Sequence, residues 1–222
     1  MLSGIKVVIL RMVLVTVLFS YLFYFALKYF PWYDCVVLMC FFVLYLGASI
    51  IDTFMVAAPE SYVIEDADGR SYLYMQLASM IVLLYGILDF LSFKITRITW
   101  GPEYITSAGT MIFLLTVILR ISALRALGIY FNLRVALYER HILVTDGLYA
   151  HIRHPLYAAS LLTNLAFVLI FNSWGAFLLV IFLVVPAVWY RVKIEEEFLL
   201  RHFKLGYEEY AKKSKYFIPG IW

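Results

Sequence analysis

The stretch LYAASLLTNLAFVLIFNSWGAFLLVIFLVVPAVWY (Leu156–Tyr190) contains two apolar runs separated only by Asn172-Ser173. A short polar break between long apolar runs is typical of a tight turn between antiparallel helices. Each run approaches the roughly 20 residues that cross a bilayer as a helix. The stretch therefore predicts a membrane-embedded helical hairpin, which returns the chain to the side from which it started.

The composition places the whole chain in the membrane class. Of the 222 residues, 64% are hydrophobic and 15% are charged, and the mean hydropathy is +0.89. Soluble domains are about half apolar and a quarter charged. The length allows one helical membrane domain and no separate soluble domain. A net charge of +3 does not indicate a nucleic-acid partner. Cys35 and Cys40 point in different directions on a helix, so neither a disulfide nor a metal site is expected.

Four further apolar runs precede the hairpin. They predict helices over Ile5–Lys28, Tyr33–Ala57, Tyr72–Phe93 and Ile105–Leu127. Tyrosine and tryptophan near their ends suit the membrane–water interface. We expect an all-α, polytopic integral membrane protein with about six transmembrane helices and an amphipathic C-terminal helix in the cytosol.

The distribution of lysine and arginine predicts the orientation of these helices. With six spans, the N-terminus, the loop before Tyr72, the segment before the hairpin and the C-terminal tail share one side. That side carries most of the basic residues, whereas the opposite side carries only Lys28, Lys94 and Arg97. Because basic loops remain in the cytoplasm, we expect a multi-pass protein whose central loop and tail are cytoplasmic.

The central loop HILVTDGLYAHIRHPLY (His141–Tyr157) is the longest polar interruption in the chain. Pro155 favours the first turn of a helix and disfavours helical geometry at His154. Arg153 and His154 are therefore expected over the N-terminus of the next helix. Unpaired amides and a guanidinium at this point would bind a carboxylate or a phosphate. In the alternative interpretation, both side chains anchor the chain to lipid head groups.

The tail RVKIEEEFLLRHFKLGYEEYAKKSKYFIPGIW (Arg191–Trp222) continues the last helix into water, with a break expected near Gly206. Arg191 and Glu195 are four residues apart and share a face, whereas Glu196 points elsewhere. Ordinary surface ion pairs would explain these charges. A carboxylate here would alternatively hold an ammonium group, and Arg191 an anion.

Two other polar features interrupt the apolar pattern. Arg125 is close enough to the end of its helix to extend its guanidinium to the interface. Arg120 lies more than a turn deeper, and an arginine at membrane depth usually faces a cavity or a partner. We therefore expect Arg120 to line an internal cavity. The acidic loop Pro59–Arg70 is expected to be a solvated connector.

Several of these runs together resemble the isoprenylcysteine carboxyl methyltransferase family. The resemblance is carried by Leu127-Gly128, LVTDGLY (Leu143–Tyr149), RHPLY (Arg153–Tyr157), RVKIEEEFL and FKLGYEEY. It covers the region from about Arg120 to Pro219, and the wider grouping includes phospholipid methyltransferases. We therefore divide the chain into N-terminal helices of unassigned role (1–104) and a methyltransferase-like catalytic domain (105–222).

The resemblance implies use of S-adenosylmethionine, with S-adenosylhomocysteine as product, and transfer of its methyl group to a prenylated cysteine carboxylate. It implies a cofactor site in the central loop and tail. The catalytic residues expected are Arg191, Glu196 and Arg120, with Arg120 or Arg191 orienting the acceptor carboxylate. The residues expected at the cofactor are His141, Leu143, Val144, Gly147, Tyr149, Arg153, His154, Tyr157, Glu195 and Glu196.

Methyl transfer to a carboxylate needs positioning and exclusion of water, and no metal. A lipophilic acceptor would enter from the bilayer, so membrane lipids are the other expected partners. The sequence does not predict the oligomeric state. Three alternatives remain open at this stage. They are a phospholipid amine or small-thiol methyltransferase, a sterol-reductase-like membrane enzyme that uses NADPH, and a non-enzymatic membrane protein.

Overall fold

The computed structural model describes residues 13, 16–17, 19–21, 23–55, 63–131, 135–138 and 142–217. Half of the predicted helix Ile5–Lys28 lies outside these ranges, and the described half is helical. The described elements, in chain order, are α1 (Trp32–Met55), β1 (Val63–Asp66), α2 (Ser71–Leu88), α3 (Pro102–Leu127), β2 (Ala136–Tyr138), α4 (Pro155–Ile170), α5 (Trp174–Leu179), α6 (Val185–Phe203) and α7 (Leu205–Lys213). Short 3₁₀ turns occupy Gly128–Tyr130 and Gly147–Ala150.

The described residues contain 4 helices that are long and apolar enough to cross a membrane: Trp32–Thr53, Ser71–Phe93, Pro102–Leu127 and Trp174–Phe203. The helix α4 is apolar but shorter, with 16 residues. The all-α, polytopic membrane fold is therefore confirmed, whereas the number of six spans is not. One addition is a small antiparallel ribbon, in which β1 pairs with β2. Its strands are too short to show a period in the sequence.

The helical hairpin turns at Asn172 and Ser173, where the sequence predicts it. Asn172 adopts a left-handed backbone conformation with φ of 50°, which asparagine tolerates better than most residues. The Ser173 hydroxyl accepts a hydrogen bond from the Ala176 amide at 3.2 Å and caps α5. This turn sets α4 and the helices that follow it side by side.

Gly109 lets α3 pack closely against the end of α4. A Cβ atom at this position would lie 2.7 Å from the Ile170 amide nitrogen and 2.8 Å from the Leu169 Cβ. Both distances are far below van der Waals contact, so only glycine fits without a shift of one helix. The close approach fixes the position of α3 relative to the hairpin.

The hairpin's second half is one continuous helical path with a π-helical turn at Val180–Val184. Pro186 explains the turn, because proline has no amide hydrogen and its ring clashes with the carbonyl four residues earlier. The path then continues as α6 through Arg191 to Phe203. It ends two residues before the predicted break at Gly206, at Lys204, whose φ is 45°.

Buried polar contacts stabilise the end of the helix bundle that contains the hairpin turn. The Asp89 carboxylate accepts hydrogen bonds from the Thr96 amide at 3.0 Å and from the Ser173 hydroxyl at 2.8 Å. Nearby, Arg97 forms an ion pair with Asp34 at 2.8 Å. These contacts connect α1, the segment after α2 and the hairpin turn, and they lie at the opposite end of the hairpin from Arg153 and His154.

Candidate functional site

A cavity of about 490 Å³ extends from the central loop and the tail into the space between the helices. Its volume is in the range typical of small-molecule sites. Charged and tyrosine side chains line the end near the loop, and apolar side chains line the deeper part. The polar wall includes Tyr149, Arg153, His154, Tyr157, Arg191, Glu195, Tyr207 and Tyr210. The apolar wall includes Met75, Phe113, Val117 and Phe167.

Arg191, Tyr157 and Glu195 form a connected chain of hydrogen bonds in the cavity wall. Arg191 Nε donates to the Tyr157 hydroxyl at 2.8 Å, and this hydroxyl donates in turn to Glu195 Oε2. The Arg191 side chain is only 4% exposed. The alternative of an ordinary surface ion pair at Arg191 and Glu195 is therefore wrong. The four-residue spacing does put both side chains on one helical face, as the sequence predicts.

Asp68 supplies the counter-charge for Arg191. The Asp68 carboxylate accepts hydrogen bonds from Arg191 Nη1 and, at 3.1 Å, from the hydroxyl of Ser71, the first residue of α2. It is 7% exposed. The prediction that Pro59–Arg70 is only a solvated connector is thus wrong at Asp68, because a buried arginine needs a buried anion. Residues 56–62 lie outside the described ranges.

Glu196 collects hydrogen-bond donors from the loop and the tail. Its Oε1 atom lies 2.7 Å from His154 Nε2 and 3.1 Å from Arg153 Nε, and it accepts a hydrogen bond from the Tyr207 hydroxyl at 2.6 Å. Burial and the adjacent carboxylate raise the pKa of Tyr207 well above its usual range, so this phenol stays a donor. Glu196 therefore joins α4, α6 and α7 at one point.

The tail residues after α7 run alongside the loop before α4. Arg153 donates from its amide to the Lys215 carbonyl at 2.7 Å and from Nη1 to the Ala211 and Ser214 carbonyls at 2.7 and 2.9 Å. Its guanidinium carbon also lies 4.1 Å from the centre of the Tyr216 ring. Arg153 thus fixes the tail over the cavity.

His154 is held in a closed environment at the start of α4. It is 3% exposed and non-helical, and Pro155 begins the helix, as the sequence predicts. Its ring stacks on the rings of Tyr157 and Tyr216, with centroids 5.6 and 6.0 Å away. Neither His154 nor Arg153 anchors the chain to lipid head groups, and that alternative is wrong.

Tyr149 completes the polar end from the central loop. Gly147 starts the short 3₁₀ turn with φ of 60°, a conformation that glycine adopts readily. The turn buries Tyr149, and the Tyr210 hydroxyl donates to the Tyr149 carbonyl at 2.8 Å. Burial raises the pKa of Tyr149 well above its usual range and raises the pKa of Tyr210 to about 12. Both phenols are therefore neutral at physiological pH.

Asp52 and Arg120 form an ion pair deeper in the same cavity wall. Arg120 Nε lies 2.8 Å from each carboxylate oxygen of Asp52. The Arg120 side chain is 31% exposed and the Asp52 side chain is 35% exposed. Both line the cavity, which confirms that Arg120 faces an internal space. Asp52 belongs to α1, so residues before position 105 also contribute to this wall, and the division of the chain at 104 stays a prediction.

Most of the expected site residues meet in this cavity. Nine of them line it: Arg120, Leu143, Val144, Tyr149, Arg153, His154, Tyr157, Arg191 and Glu195. Gly147 shapes the turn below Tyr149, and Glu196 holds the loop to the tail from outside the cavity wall. His141 lies outside the described residues. The roles assigned to these residues stay predictions.

Sequence reasoning did not assign four residues of the site. Asp52, Tyr207 and Tyr210 line the cavity, and Asp68 binds Arg191 from behind the wall. A signal existed for Asp52, because an acid in an apolar helix needs a partner. The two tyrosines lie within FKLGYEEY, which carries part of the family resemblance. Nothing local marked Asp68, whose partner is Arg191 on a distant helix.

The arrangement suits the binding of a polar molecule beside an apolar one. It offers a carboxylate, two guanidinium groups and neutral phenols at one end, and an apolar wall at the other. Within the described ranges, no cluster of His, Cys, Asp and Glu could hold a metal ion. The charged and phenolic side chains that line the cavity can bind and orient charged groups.

Comparison with known proteins assigns this architecture to a family. Residues 109–201 match the model of the isoprenylcysteine carboxyl methyltransferase family. A protein-S-isoprenylcysteine O-methyltransferase from Schizosaccharomyces pombe is 35% identical over 81 residues, which is 36% of this chain and 34% of that protein. Protein-S-isoprenylcysteine O-methyltransferase B from Arabidopsis thaliana is 31% identical over 152 residues, which is 65% of this chain and 73% of the relative.

One solved structure also aligns with this chain. The eukaryotic intramembrane Ras methyltransferase of this family aligns with a TM-score of 0.47 and 19% identity, over 96% of this chain and 86% of that protein. The family assignment does not depend on this alignment. It depends on the extent of the match to the Arabidopsis relative and on the family model. The chain belongs to the isoprenylcysteine carboxyl methyltransferase family.

Proposed function

We propose that this protein is an integral membrane methyltransferase that transfers a methyl group from S-adenosylmethionine to the carboxylate of a prenylated cysteine. The observation that carries the proposal is the cavity, which combines a polar end of family-like residues with an apolar wall inside the membrane. Family membership gives the reaction class, and the cavity gives the two kinds of surface that this reaction needs.

The polar end fits the methyl donor. S-adenosylmethionine has an amino-acid portion with an ammonium and a carboxylate, an adenosine portion, and a sulfonium centre that supplies the methyl group. Glu195 offers an anion for the ammonium, and the tyrosines offer rings and hydroxyls to the rest. We assign His154, Tyr149 and Tyr157 to this end. Glu196 would act indirectly, because it holds His154 and Arg153 in place.

The residues of the chain then have to position and shield the reactants. A carboxylate acceptor loses no proton on methylation, so no general base is required. Arg191 or Arg120 orients the carboxylate without protonating it, because arginine stays charged. The tail, fixed over the cavity by Arg153, excludes water that would otherwise solvate the carboxylate and slow its attack.

The apolar wall fits a lipophilic acceptor that arrives from the bilayer. Met75, Phe113 and Phe167 continue the cavity away from the charged end. A prenyl chain is insoluble in water, and this wall removes it from water on binding. An amine acceptor is the second candidate, since Glu195 and the tyrosines would suit an ammonium. Methylation of an amine would require a base to accept the proton of its ammonium form. The phenols of Tyr149 and Tyr207 do not supply this base, because their raised pKa values keep them protonated.

The positive-inside rule gives the orientation that we propose, in which the central loop and the tail are cytoplasmic. The polar methyl donor would then enter from the cytoplasm. Four lysines in the tail, Lys204, Lys212, Lys213 and Lys215, agree with this orientation.

The test of the proposed function uses purified protein with S-adenosylmethionine and three acceptors: N-acetyl-S-farnesylcysteine, phosphatidylethanolamine and a small thiol. We expect a methyl ester on the first acceptor only. Methylation of the second or third in its place would move the protein to the alternative class. S-adenosylhomocysteine should raise the melting temperature and NADPH should not, whereas the opposite pattern would indicate a reductase.

A further inference from the structure

Three aromatic rings close the deep end of the cavity. Tyr45 of α1, Phe113 of α3 and Phe167 of α4 line it there, and each is the lining residue of its helix that lies farthest from the central loop. The centre of the Phe167 ring lies 6.2 Å from the ring centres of both Tyr45 and Phe113. Behind these rings, the Phe41 ring lies 5.5 Å from Phe167 and does not line the cavity. Tyr45, Phe113 and Phe167 therefore form an aromatic floor.

Contacts between α3 and α4 hold the aromatic floor in place. About one turn above it, the Thr163 hydroxyl donates to the Thr116 hydroxyl at 3.3 Å, and the latter donates to the Phe113 carbonyl at 2.7 Å. Below the floor, a Cβ atom at Gly109 would lie 2.7 Å from the Ile170 amide nitrogen. The two helices are thus in direct contact behind the rings. A ligand could pass the floor only by separating α3 from α4.

The distance from the polar end to the aromatic floor limits the length of a bound lipid. Tyr157 and Phe167 both line the cavity and are ten residues apart on α4, which corresponds to about 15 Å along the helix axis. An isoprene unit extends a chain by four carbon–carbon bonds of about 1.5 Å and is therefore roughly 5 Å long. The membrane part of the cavity thus holds about three isoprene units.

From these observations we infer that Tyr45, Phe113 and Phe167 set the maximum length of the acceptor's lipid, so that the protein methylates farnesylcysteine in preference to geranylgeranylcysteine. The inference rests on the proposed function and adds a length limit to the acceptor class. The fourth isoprene unit of a geranylgeranyl chain would have to displace the rings or remain beside the charged end, where its contact with water is unfavourable. The floor acts on the acceptor's lipid and not on the methyl donor.

α1 offers two substitutions that move the floor in opposite directions. Tyr45 is half-buried, whereas Phe113 and Phe167 are only 3% and 5% exposed, so the loss of the Tyr45 ring disturbs the core least. Tyr45→Ala should deepen the cavity. Ala48 lies three residues later on the same face and also lines the cavity. Ala48→Leu should therefore fill the space above the floor and shorten the cavity.

The experiment measures kcat/KM with saturating S-adenosylmethionine for the N-acetyl-S-geranyl, -farnesyl and -geranylgeranyl forms of cysteine. The wild-type protein should use the farnesyl form about tenfold better than the geranylgeranyl form. Tyr45→Ala should raise kcat/KM for the geranylgeranyl form several-fold. Ala48→Leu should lower kcat/KM for the farnesyl form about tenfold, with little change for the geranyl form.

Two matched controls and one binding measurement accompany these variants. Tyr74→Ala and Ala108→Leu make the same changes at exposed positions outside the cavity wall, so both should keep the wild-type ratios. Calorimetric titration should give the same affinity for S-adenosylhomocysteine in all four variants. A change confined to acceptor use is the result that general damage to the fold would not produce.

The outcomes separate this inference from the proposed function. If the wild-type protein methylates the farnesyl and geranylgeranyl forms equally well, or if Tyr45→Ala does not alter their ratio, the inference is overturned and the function stands. In that case the lipid leaves the cavity sideways, where Ile51 and Gln76 line it and are exposed. If the wild-type protein methylates none of the three forms, the proposed function fails. Should Tyr45→Ala not fold, Ala48→Leu decides, since an unchanged farnesyl-to-geranyl ratio overturns the inference.

Discussion

Asp68 accepts a hydrogen bond from Arg191, which lies 123 positions later in the chain. The contact joins the loop before α2 to the helix that leaves the membrane in the C-terminal region. Arg191 lines the cavity, so a side chain of the wall depends on the N-terminal half of the sequence for its counter-ion. The family resemblance covers only the C-terminal half, and the N-terminal half supplies the counter-charge.

Replacing Asp68 by alanine should destabilise the protein and abolish turnover. The substitution leaves the buried Arg191 without a counter-ion, and breaking a buried ion pair costs about 3–5 kcal/mol. We expect a lower melting temperature in detergent and a large loss of methyl transfer. Asp146→Ala is the matched control, because Asp146 is exposed and outside the pair. Equal melting temperatures for the two variants would contradict the role of Asp68.

Arg191→Lys should also lower turnover strongly. A lysine has one nitrogen and cannot reproduce the separate contacts of Nε to Tyr157 and Nη1 to Asp68 and Ser71. We expect kcat to fall at least tenfold. The positive charge is retained, so the melting temperature should fall only slightly. Lys193→Arg, at an exposed position on the same helix, should have no effect. A fully active Arg191→Lys would mean that only the charge matters.

Glu196→Gln should weaken binding of S-adenosylhomocysteine and lower the melting temperature. The carboxylate receives hydrogen bonds from Arg153 and Tyr207 and contacts His154. Hydrogen bonds to a charged group contribute about 1.5–3 kcal/mol each, and the amide can replace only part of this. Glu197→Gln is the control, because Glu197 is exposed. Calorimetric titration with S-adenosylhomocysteine measures the affinity. If both variants bind equally, Glu196 has no positioning role.

The tyrosines predict how stability changes at alkaline pH. Burial raises the pKa of Tyr210 to about 12 in the folded protein, above the value of about 10 for an exposed phenol. The neutral phenol is therefore favoured by folding. Its contribution is complete below pH ~10 and is lost as the pH rises toward about 12. We expect the melting temperature to fall over this interval. Tyrosinate absorbance that develops fully near pH ~10 in the folded protein would contradict this burial.

Gly109→Ala should destabilise the helix packing. The added Cβ would meet the backbone of Ile170 at 2.7 Å, so α3 or α4 has to shift. Overpacking of this kind costs about 1–3 kcal/mol. Gly47→Ala is the matched control in another membrane helix, because a Cβ there has no neighbour within 4 Å. The melting temperature should fall in the first variant only. An equal response in both would show that the close contact is easily relieved.

The proposed orientation can be tested with single cysteines in a background without Cys35 and Cys40. Cysteines at Asp146 and Lys212 should react with an impermeant reagent only when the cytoplasmic face is accessible. A cysteine at Trp100, beyond the other end of the bundle, should react only from the opposite face. If the cysteines that replace Asp146 and Lys212 were labelled from different faces, the proposed arrangement of the loop and the tail would be contradicted.

Much of the fold could be predicted because membrane helices obey local rules. The apolar runs gave α1 to α4 within a few residues, and Pro155 and Asn172 marked the ends of α4. The same reasoning brought His154, Tyr157, Arg191 and Glu195 to one cavity. Hydropathy and turn residues suffice for these predictions, because a bilayer demands long apolar helices with satisfied backbone groups.

The remaining features depend on contacts between distant parts of the chain. Asp68 was predicted to be solvated, since its neighbours are polar and nothing nearby reveals Arg191 as its partner. Glu196 was expected at the cofactor, yet its side chain turns toward Arg153 and Tyr207. The break after α6 falls at Lys204 instead of Gly206. In each of these three cases, the position of the residue depends on tertiary contacts that the local sequence does not reveal.

The contact between the tail and the central loop also affects how the protein matures. The amides of Arg153 and His154 donate hydrogen bonds to the carbonyls of Lys215 and Tyr216, so these late residues hold two residues of the cavity wall in place at the start of α4. During synthesis, all the described membrane helices emerge before residue 215 does. A nascent or truncated chain can therefore be inserted in the bilayer and still lack a closed site. Competence to methylate should appear abruptly, only after the ribosome has passed Tyr216.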